Sequence, residues 1–238
     1  MKKSKNLAIL QARMSSKRLP GKVLKEINGK PMIYWQIERI LKSREISKLV
    51  VATSEHPTDD VLSDYLESIN CDFVRGSLDD VLDRFIKVEN IYYPDSIIRL
   101  TGDCPLVMPK LIDFLLEKFY EVNVEYLSNT IELTYPDGLD IEIIRAGTFS
   151  KLMTMNLTSA EREHVTLGII HKIDNFSTYN VPNEIDLSSY RWTVDNEEDL
   201  AFVKGIFNEF KGKETEFNFE DLMDYFKEYP NLNRFKKR

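Results

Sequence analysis

Residues 11–22, QARMSSKRLPGK, gather four cations (Arg13, Lys17, Arg18 and Lys22) and two hydroxyls (Ser15 and Ser16) in one short stretch. A polyphosphate needs dense positive charge to screen its own repulsion, with planar guanidinium donors for bidentate contacts and a compact ammonium for a point contact. Arg13, Arg18 and Lys22 are therefore candidate phosphate ligands, and Ser16 a candidate hydroxyl donor. The stretch follows neither the Walker glycine spacing nor the dinucleotide-binding glycine spacing, which removes the commonest ATPase and dehydrogenase geometries. A solvated surface loop has the same composition, so position in the fold must separate the two readings.

Two aspartates have the chemistry of hard-cation ligands. Asp103 lies in RLTGDCP, residues 99–105, where Gly102 permits a tight backbone approach, and Asp195 lies in RWTVDNEED, residues 191–199. Magnesium commonly takes one or two carboxylates completed by substrate phosphates and water, so a sparse pair suffices. The competing readings are an ordinary Gly-Asp turn for Asp103 and a helix N-cap for Asp195. Cys104 has no His placed by the sequence to activate it and reads as a packing residue.

Further polar groups are less specific. In YPDGLDIE, residues 135–142, a turn leads into an alternating strand that puts Asp140 and Glu142 on one face, toward either an acceptor or solvent. His164, in SAEREHVT, can contact an acceptor or accept its proton, and binding is the preferred role. Thr53, Ser54 and Arg75 lie just after or at strand ends and are base or ribose candidates, whereas Ser77 and Asp79 serve as helix caps in the competing reading.

These groups need a frame that brings them to one edge. Short apolar runs at 7–10, 49–52, 73–74 and 97–100 alternate with helical spacing at 31–43, 58–69, 79–91 and 109–122, which predicts a β-α-β-α-β-α-β-α half with a parallel sheet covered on both faces. Right-handed crossovers make such a sheet doubly wound, and open sheets of this kind bind ligands at the carboxyl ends of their strands. The second half predicts strands at 139–144, 176–181 and 190–194 and helices at 160–173, 197–210 and 219–229. No linker, repeat or low-complexity run divides residues 1–238, so one domain with a substrate-side or dimerisation insertion around 125–185 is expected.

With 39 acidic against 32 basic residues, the net charge of −7 argues against broad attraction to nucleic acid or an anionic membrane. Two cysteines fit neither a disulfide framework nor a zinc site, and the apolar stretch 7–10 is too short for a secretory or membrane-spanning segment, so a cytoplasmic protein is expected.

The run LQARMSSKRLPGK at 10–22, followed by GKPM at 29–32, resembles the signature of the sugar cytidylyltransferases, specifically the spore-coat polysaccharide biosynthesis type related to acylneuraminate and keto-deoxy-octulosonate cytidylyltransferases. The resemblance covers most of the chain and implies a Rossmann-like, glycosyltransferase-A-type three-layer sandwich with a mostly parallel mixed sheet. It implies that the loop wraps the phosphates of CTP, that the backbone near Leu10 and Ala12 reads the base, and that Asp103 and Asp195 hold Mg²⁺. By the same resemblance, GSLDDVL at 76–82 faces the nucleotide; Asp137, Gly138 and Asp140 of PDGLD lie near an acceptor, as do Arg162, Glu163 and His164 of REHV. The family often forms homodimers.

The activity expected is in-line attack by an acceptor, a sugar acid or related polar compound, on the α-phosphorus of CTP, with Arg13, Lys22, Asp103 and Asp195 as the catalytic set and pyrophosphate as the leaving group. A transferase for another base or for a phosphorylated non-sugar acceptor stays open, as do a silent nucleotide-sugar-binding protein and a glycosyltransferase, because one architecture serves them all.

Overall fold

A computed structural model describes residues 4–235. Its centre is the strand β1 (Asn6–Gln11), which pairs in parallel with β4 (Lys48–Ser54) on one side and β6 (Ser96–Thr101) on the other. β5 (Phe73–Gly76) extends the sheet beyond β4, also in parallel. Beyond β6 lies β8 (Glu142–Arg145), antiparallel to both β6 and β7 (Tyr126–Ser128), and β9 (Thr178–Asn180) closes the sheet parallel to β7. The order is β5-β4-β1-β6-β8-β7-β9, a mostly parallel mixed sheet. A two-stranded ribbon, β2 (Glu26–Ile27) with β3 (Lys30–Pro31), follows the first loop.

The pleat explains the layers. Along β1, Ala8 and Leu10 point to one face, where they meet α1 (Met32–Ile40), α2 (Asp60–Ser68) and α4 (Pro109–Val122) through Ile33, Ile37, Leu62, Leu66, Leu115 and Phe119. Leu7 and Ile9 point to the other face, against Leu82 and Phe85 of α3 (Val81–Tyr92) and Phe149 of α5 (Thr148–Met153). Burying each such side chain contributes about 1.5–3 kcal/mol, so the middle of the sheet is a rigid base for whatever sits on its edge. A third cluster joins α8 (Glu197–Glu209) and α9 (Phe219–Glu228) to Leu19, Met32, Leu106 and Trp192, and so ties the C-terminal helices to the loop after β1.

The chain runs outward from β1 through β4 to β5 and then crosses back to β6. That reversal opens a crevice between the carboxyl ends of β1 and β6, the place where open α/β sheets take ligands. No helix of the described residues is long and apolar enough to cross a membrane.

The first half matches the sequence reading, and α4 has the expected bounds because Pro109 can start a helix and Asn123, at φ 53°, can end one in the left-handed region. The second half departs from it. Residues 190–194 form no strand and make only isolated bridges, Asp137 with Arg191 and Tyr190 with Phe235. The expected helix 160–173 is broken into α6 (Ser159–Glu163) and α7 (Leu167–His171), with Val165 between them at φ 50°. A β-branched residue is disfavoured there, and Val165 is held by complete burial against the α3 and α5 side of the core. β7 and α5 were not expected.

Candidate active site

The loop after β1 is folded by its own backbone before any ligand is considered. The Met14 carbonyl accepts from the amides of Ser16 and Gly21, both at 2.9 Å, and Gly21 takes φ 69° to close the turn. The Met14 amide donates to the buried Asp59 at 2.6 Å, and Ala12 N donates to Ala52 O at 3.1 Å. Leu19 plugs into the third cluster. The loop is thus pinned at both ends, while the Arg18 side chain stays mostly exposed.

Gly102 donates to the Gln11 carbonyl at 2.8 Å, and a Cβ there would lie 3.0 Å from that oxygen and 3.2 Å from the Ala12 side chain. Only glycine lets the β6 turn lie this close to β1. The turn is held from below by the buried Gln36, which donates to Thr101 O at 2.6 Å and Cys104 O at 3.1 Å. Its far side carries Val194: the Val194 amide donates to the Asp103 carbonyl at 2.8 Å, bringing Asp103 and Asp195 together across 92 positions of chain.

Lys22 sits between the two aspartates. Its ammonium donates to Val194 O at 2.8 Å, Asp195 Oδ1 at 3.2 Å and Asp103 Oδ2 at 3.3 Å, which engages all three N–H groups. Lys22 therefore holds the carboxylates together, at the place from which the sequence expects a phosphate contact. Arg18 pairs with Asp195 at 2.8 Å, and Arg191 donates to Asp195 at 2.7 Å. Burial pushes the Asp195 carboxyl up, but Arg191, Lys22 and Arg18 outweigh it and hold the group below the usual aspartate value.

Asp195 does not cap α8. Asn196 does, accepting from Asp199 N at 3.0 Å, and the buried Asp199 reciprocates by accepting from Asn196 N at 3.2 Å and Asp195 N at 3.0 Å. The Asp195 carboxylate is thereby released toward the cleft. Arg191 also reaches Asp137 at 3.2 Å and Asp199 at 3.2 Å, making a four-residue cluster with Asp195. Cap assignments shift likewise at α3, where Asp80 accepts from Asp83 N at 3.1 Å, and Ser77 supports Asp80 at 3.0 Å; Asp79 is not the cap.

A cleft of about 480 Å³ brings together Arg13, Ser16, Arg18, Lys22, Asp103, Glu163, His164 and Asp195, with Ala12 in its wall and Arg84 and Arg99 at its base. Glu163 pairs with Arg13 at 3.5 Å. Other expected residues lie outside it. Leu10, Thr53 and Ser54 are fully buried, and the Ser54 hydroxyl bonds Asp59. Arg75 turns to Ser54 O at 2.8 Å and Asp60 at 2.6 Å, and Arg162 to Asp80 at 2.7 Å. Glu142 is neither a solvent-facing nor an acceptor-facing carboxylate: it is buried between the Arg99 guanidinium and the Tyr126 hydroxyl, 2.6 Å away. Asp137 bonds Arg191 behind the site, Gly138 (φ 112°) packs on the Trp192–Thr193 backbone, and Asp140 is not in the cleft wall.

Sequence reasoning missed Gln36, Arg84, Arg99, Arg191 and Asp199, whose partners lie far along the chain; RWTVDNEED held the last two but signalled only a helix start. Burial drives the Cys104 thiol well up, in keeping with a packing role. Among the described residues no group of three or more His, Cys, Asp or Glu side chains forms a metal cage, so the acidic centre is the Asp103–Asp195 pair alone. A larger cavity of about 770 Å³, between the start of α4 and residues 215–220, contains none of the expected site residues.

A sequence model of the cytidylyltransferases matches residues 7–180. The spore coat polysaccharide biosynthesis protein SpsF of Bacillus subtilis is 34% identical over 208 residues, covering 84% of this chain and 85% of that protein. A 3-deoxy-manno-octulosonate cytidylyltransferase of Pelobacter propionicus is 32% identical over 106 residues, 44% of this chain and 41% of its own. Among solved structures, a cytidylyltransferase from Leptospira borgpetersenii superposes with a TM-score of 0.92 at 32% identity, covering 99% of both chains. With the crevice at the β1–β6 reversal, its cationic loop and its paired aspartates, these matches establish that the chain belongs to the cytidylyltransferase family, and is a nucleotidyltransferase by type.

Proposed function

We propose that the cleft transfers CMP from CTP to a sugar acid or related polar acceptor and releases pyrophosphate, as a step toward a surface-glycan precursor. The observation that carries this reading is the convergence of Asp103 and Asp195 on one ammonium beside Arg13 and Arg18 at the sheet's reversal point. The similarity to a spore coat polysaccharide biosynthesis protein and to a 3-deoxy-manno-octulosonate cytidylyltransferase supports the glycan context and the acceptor class.

The hydroxyl oxygen of the acceptor attacks the α-phosphorus in line and gives up its proton to solvent, the bond from that phosphorus to the bridging oxygen breaks, and pyrophosphate leaves with the bond's electron pair. Arg18 and Arg13 face the phosphates and stabilise their charge, and Ser16 adds a hydroxyl donor. Glu163 and His164 form the wall on which the acceptor is oriented, and orientation supplies much of the acceleration because no covalent enzyme intermediate is needed.

Mg²⁺ fits this donor set: two carboxylates already converge on a cationic nitrogen, both are hard oxygen donors, and a pair completed by phosphates and water satisfies the ion. Asp103 and Asp195 would hold it, and the ion would supply charge neutralisation at the phosphates. Lys22 and Arg191 keep Asp195 ionised and aimed.

The test is pyrophosphate release with Mg²⁺, each nucleoside triphosphate in turn and a panel of sugar acids, sugar phosphates and other phosphorylated acceptors. CTP-selective, acceptor-dependent release is expected, with turnover of Asp103→Ala lower by about two orders of magnitude at little change in thermal midpoint. Equal release from all four nucleotides, or full activity in folded Asp103→Ala, would overturn the reading.

A further inference from the structure

Arg84, the last residue of GSLDDVLDR, reaches the cleft from α3 although the residue is only 2% exposed. Its one hydrogen bond runs from Nη1 to Ala52 O at 3.3 Å, its Nε is buried without an acceptor, and it forms no ion pair among the described residues. A guanidinium has five N–H donors, and burying them unpaired is costly, so this side chain is a buried demand for acceptors that a ligand can meet.

Its position separates it from the phosphate-facing groups. The Ala52 carbonyl that holds Arg84 also accepts from Ala12 N, which puts the guanidinium on the β4 side of β1. Asp103 follows β6 on the opposite side, two strand spacings or about 10 Å away. Ala12 and Val81, both apolar and nearly buried, line the same cleft as Arg84, and of the loop's cations Arg13 is the one near enough to act on its charge.

Charge argues for a neutral ligand group there. Burial lowers the guanidinium pKa to about 10, with Arg13 adding to the fall, while the carboxylates of Asp59, Asp80 and Asp83 act in the opposite sense. Three nearby carboxylates disfavour a second anion, whereas a flat ring with apolar faces and an edge of acceptors fits apolar walls and a single donor head.

We infer that Arg84 is a base-specificity residue, donating to the O2 and N3 acceptors of the cytosine ring while Ala12 and Val81 cover the ring. The inference rests on the cytidylyl-transfer reading above. Uracil carries a hydrogen on N3, so its N–H would meet a donor, and an amino or keto group elsewhere on the ring does not repair that clash. The stem of Arg84 passes close over Gly76: a Cβ at position 76 would come within 2.8 Å of Arg84 Cγ.

The experiment is calorimetric titration of the full chain with CTP, UTP, ATP and GTP, and with inorganic tripolyphosphate as the phosphate-only probe. In wild type CTP binds in preference to the other three. In Arg84→Met, affinity for CTP falls about tenfold to a hundredfold, to near that for UTP, and tripolyphosphate affinity stays within about twofold. Gly76→Ala, which keeps the charge but displaces it, reduces the CTP-to-UTP ratio in the same direction and decides the matter if Arg84→Met does not fold. A parallel loss of tripolyphosphate binding would make Arg84 a phosphate ligand and overturn the assignment. An unchanged CTP-to-UTP ratio in folded variants would overturn it while leaving cytidylyl transfer intact, whereas a wild type without CTP preference would sink both.

Discussion

Removing Glu142 should be more damaging than removing Glu142 and Arg99 together. Arg99 is buried beneath the cleft, where burial pulls its pKa down and Glu142 more than restores it. Glu142 is just as enclosed and also accepts from Tyr126. In Glu142→Leu the guanidinium keeps only Gln11 Oε1 at 3.1 Å and Thr166 Oγ1 at 3.4 Å, neither of them charged. A buried charge left without its partner costs about 3–5 kcal/mol. For a chain of this size that is a fall of roughly 6–20 °C in thermal midpoint. Arg99→Met with Glu142→Leu removes both charges and leaves chiefly the Tyr126 hydroxyl short of an acceptor, a cost of about 1–3 kcal/mol. Urea unfolding followed by circular dichroism, on both single variants and the double, gives the cycle. A double variant as unstable as the sum of the singles, or a Glu142→Leu cost below about 1 kcal/mol, would refute the argument that the pair is a mutually dependent buried unit.

Other consequences are open to direct measurement. Lys172, the Thr158 amide and further hydrogen bonds hold Glu161 down at about 2, so its contribution to stability is complete above the unfolded glutamate value near 4.3 and is lost as pH falls through about 2. Between those values wild-type unfolding should take up one proton more than unfolding of Glu161→Gln, read from urea midpoints across that range. Burial raises the Cys71 thiol to about 11 and pushes the Cys104 thiol well up, so at pH 8 the thiolate fraction at Cys71 is about 10⁻³, and iodoacetamide should modify neither residue until urea is added. Gly138→Ala puts a Cβ 2.7 Å from Thr193 N at φ 112°, and a loss of about 1–3 kcal/mol with a weaker CTP response is expected; an unchanged melting curve would contradict it.

The parallel half of the sheet was legible because each strand there is a short apolar run and each helix shows its own spacing, so Leu7–Leu10 and Ile33–Ile40 announce themselves locally. The break at Val165 was not, since no local rule puts a valine in the left-handed region and only its burial in the core explains it. Residues 190–194 read as a strand by composition, yet their backbone is held by single bridges to Asp137 and Phe235, which lie 54 and 45 positions away. The cationic loop and Asp103 were visible from types and spacing alone. Asp195 was ambiguous until Asn196 proved to be the cap. Arg84, Arg99 and Arg191 escaped notice because an arginine is commonplace in a sequence, and its meaning here lies in what is missing or present around the guanidinium after folding.

The strut behind Asp195 has a bearing on when this protein becomes competent during its synthesis. Arg191 N donates to Arg234 O, Trp192 donates to Asn233 Oδ1 at 2.9 Å, and the Arg234 guanidinium lies 3.1 Å from Asp199. A nascent chain that has emerged through residue 180 already holds the cationic loop, β6 and Asp103, yet lacks Asp195, the carbonyl of Val194 that seats Lys22, and everything that aims them. The loop would then keep Asp103 and Glu163 as acidic partners but lack Asp195, leaving Arg18 without the carboxylate it pairs with in the folded protein. Residues 190–235 thus complete the pairing of the cationic edge, and a chain cut back to residue 180 would present a loop more strongly cationic than the one the folded protein carries.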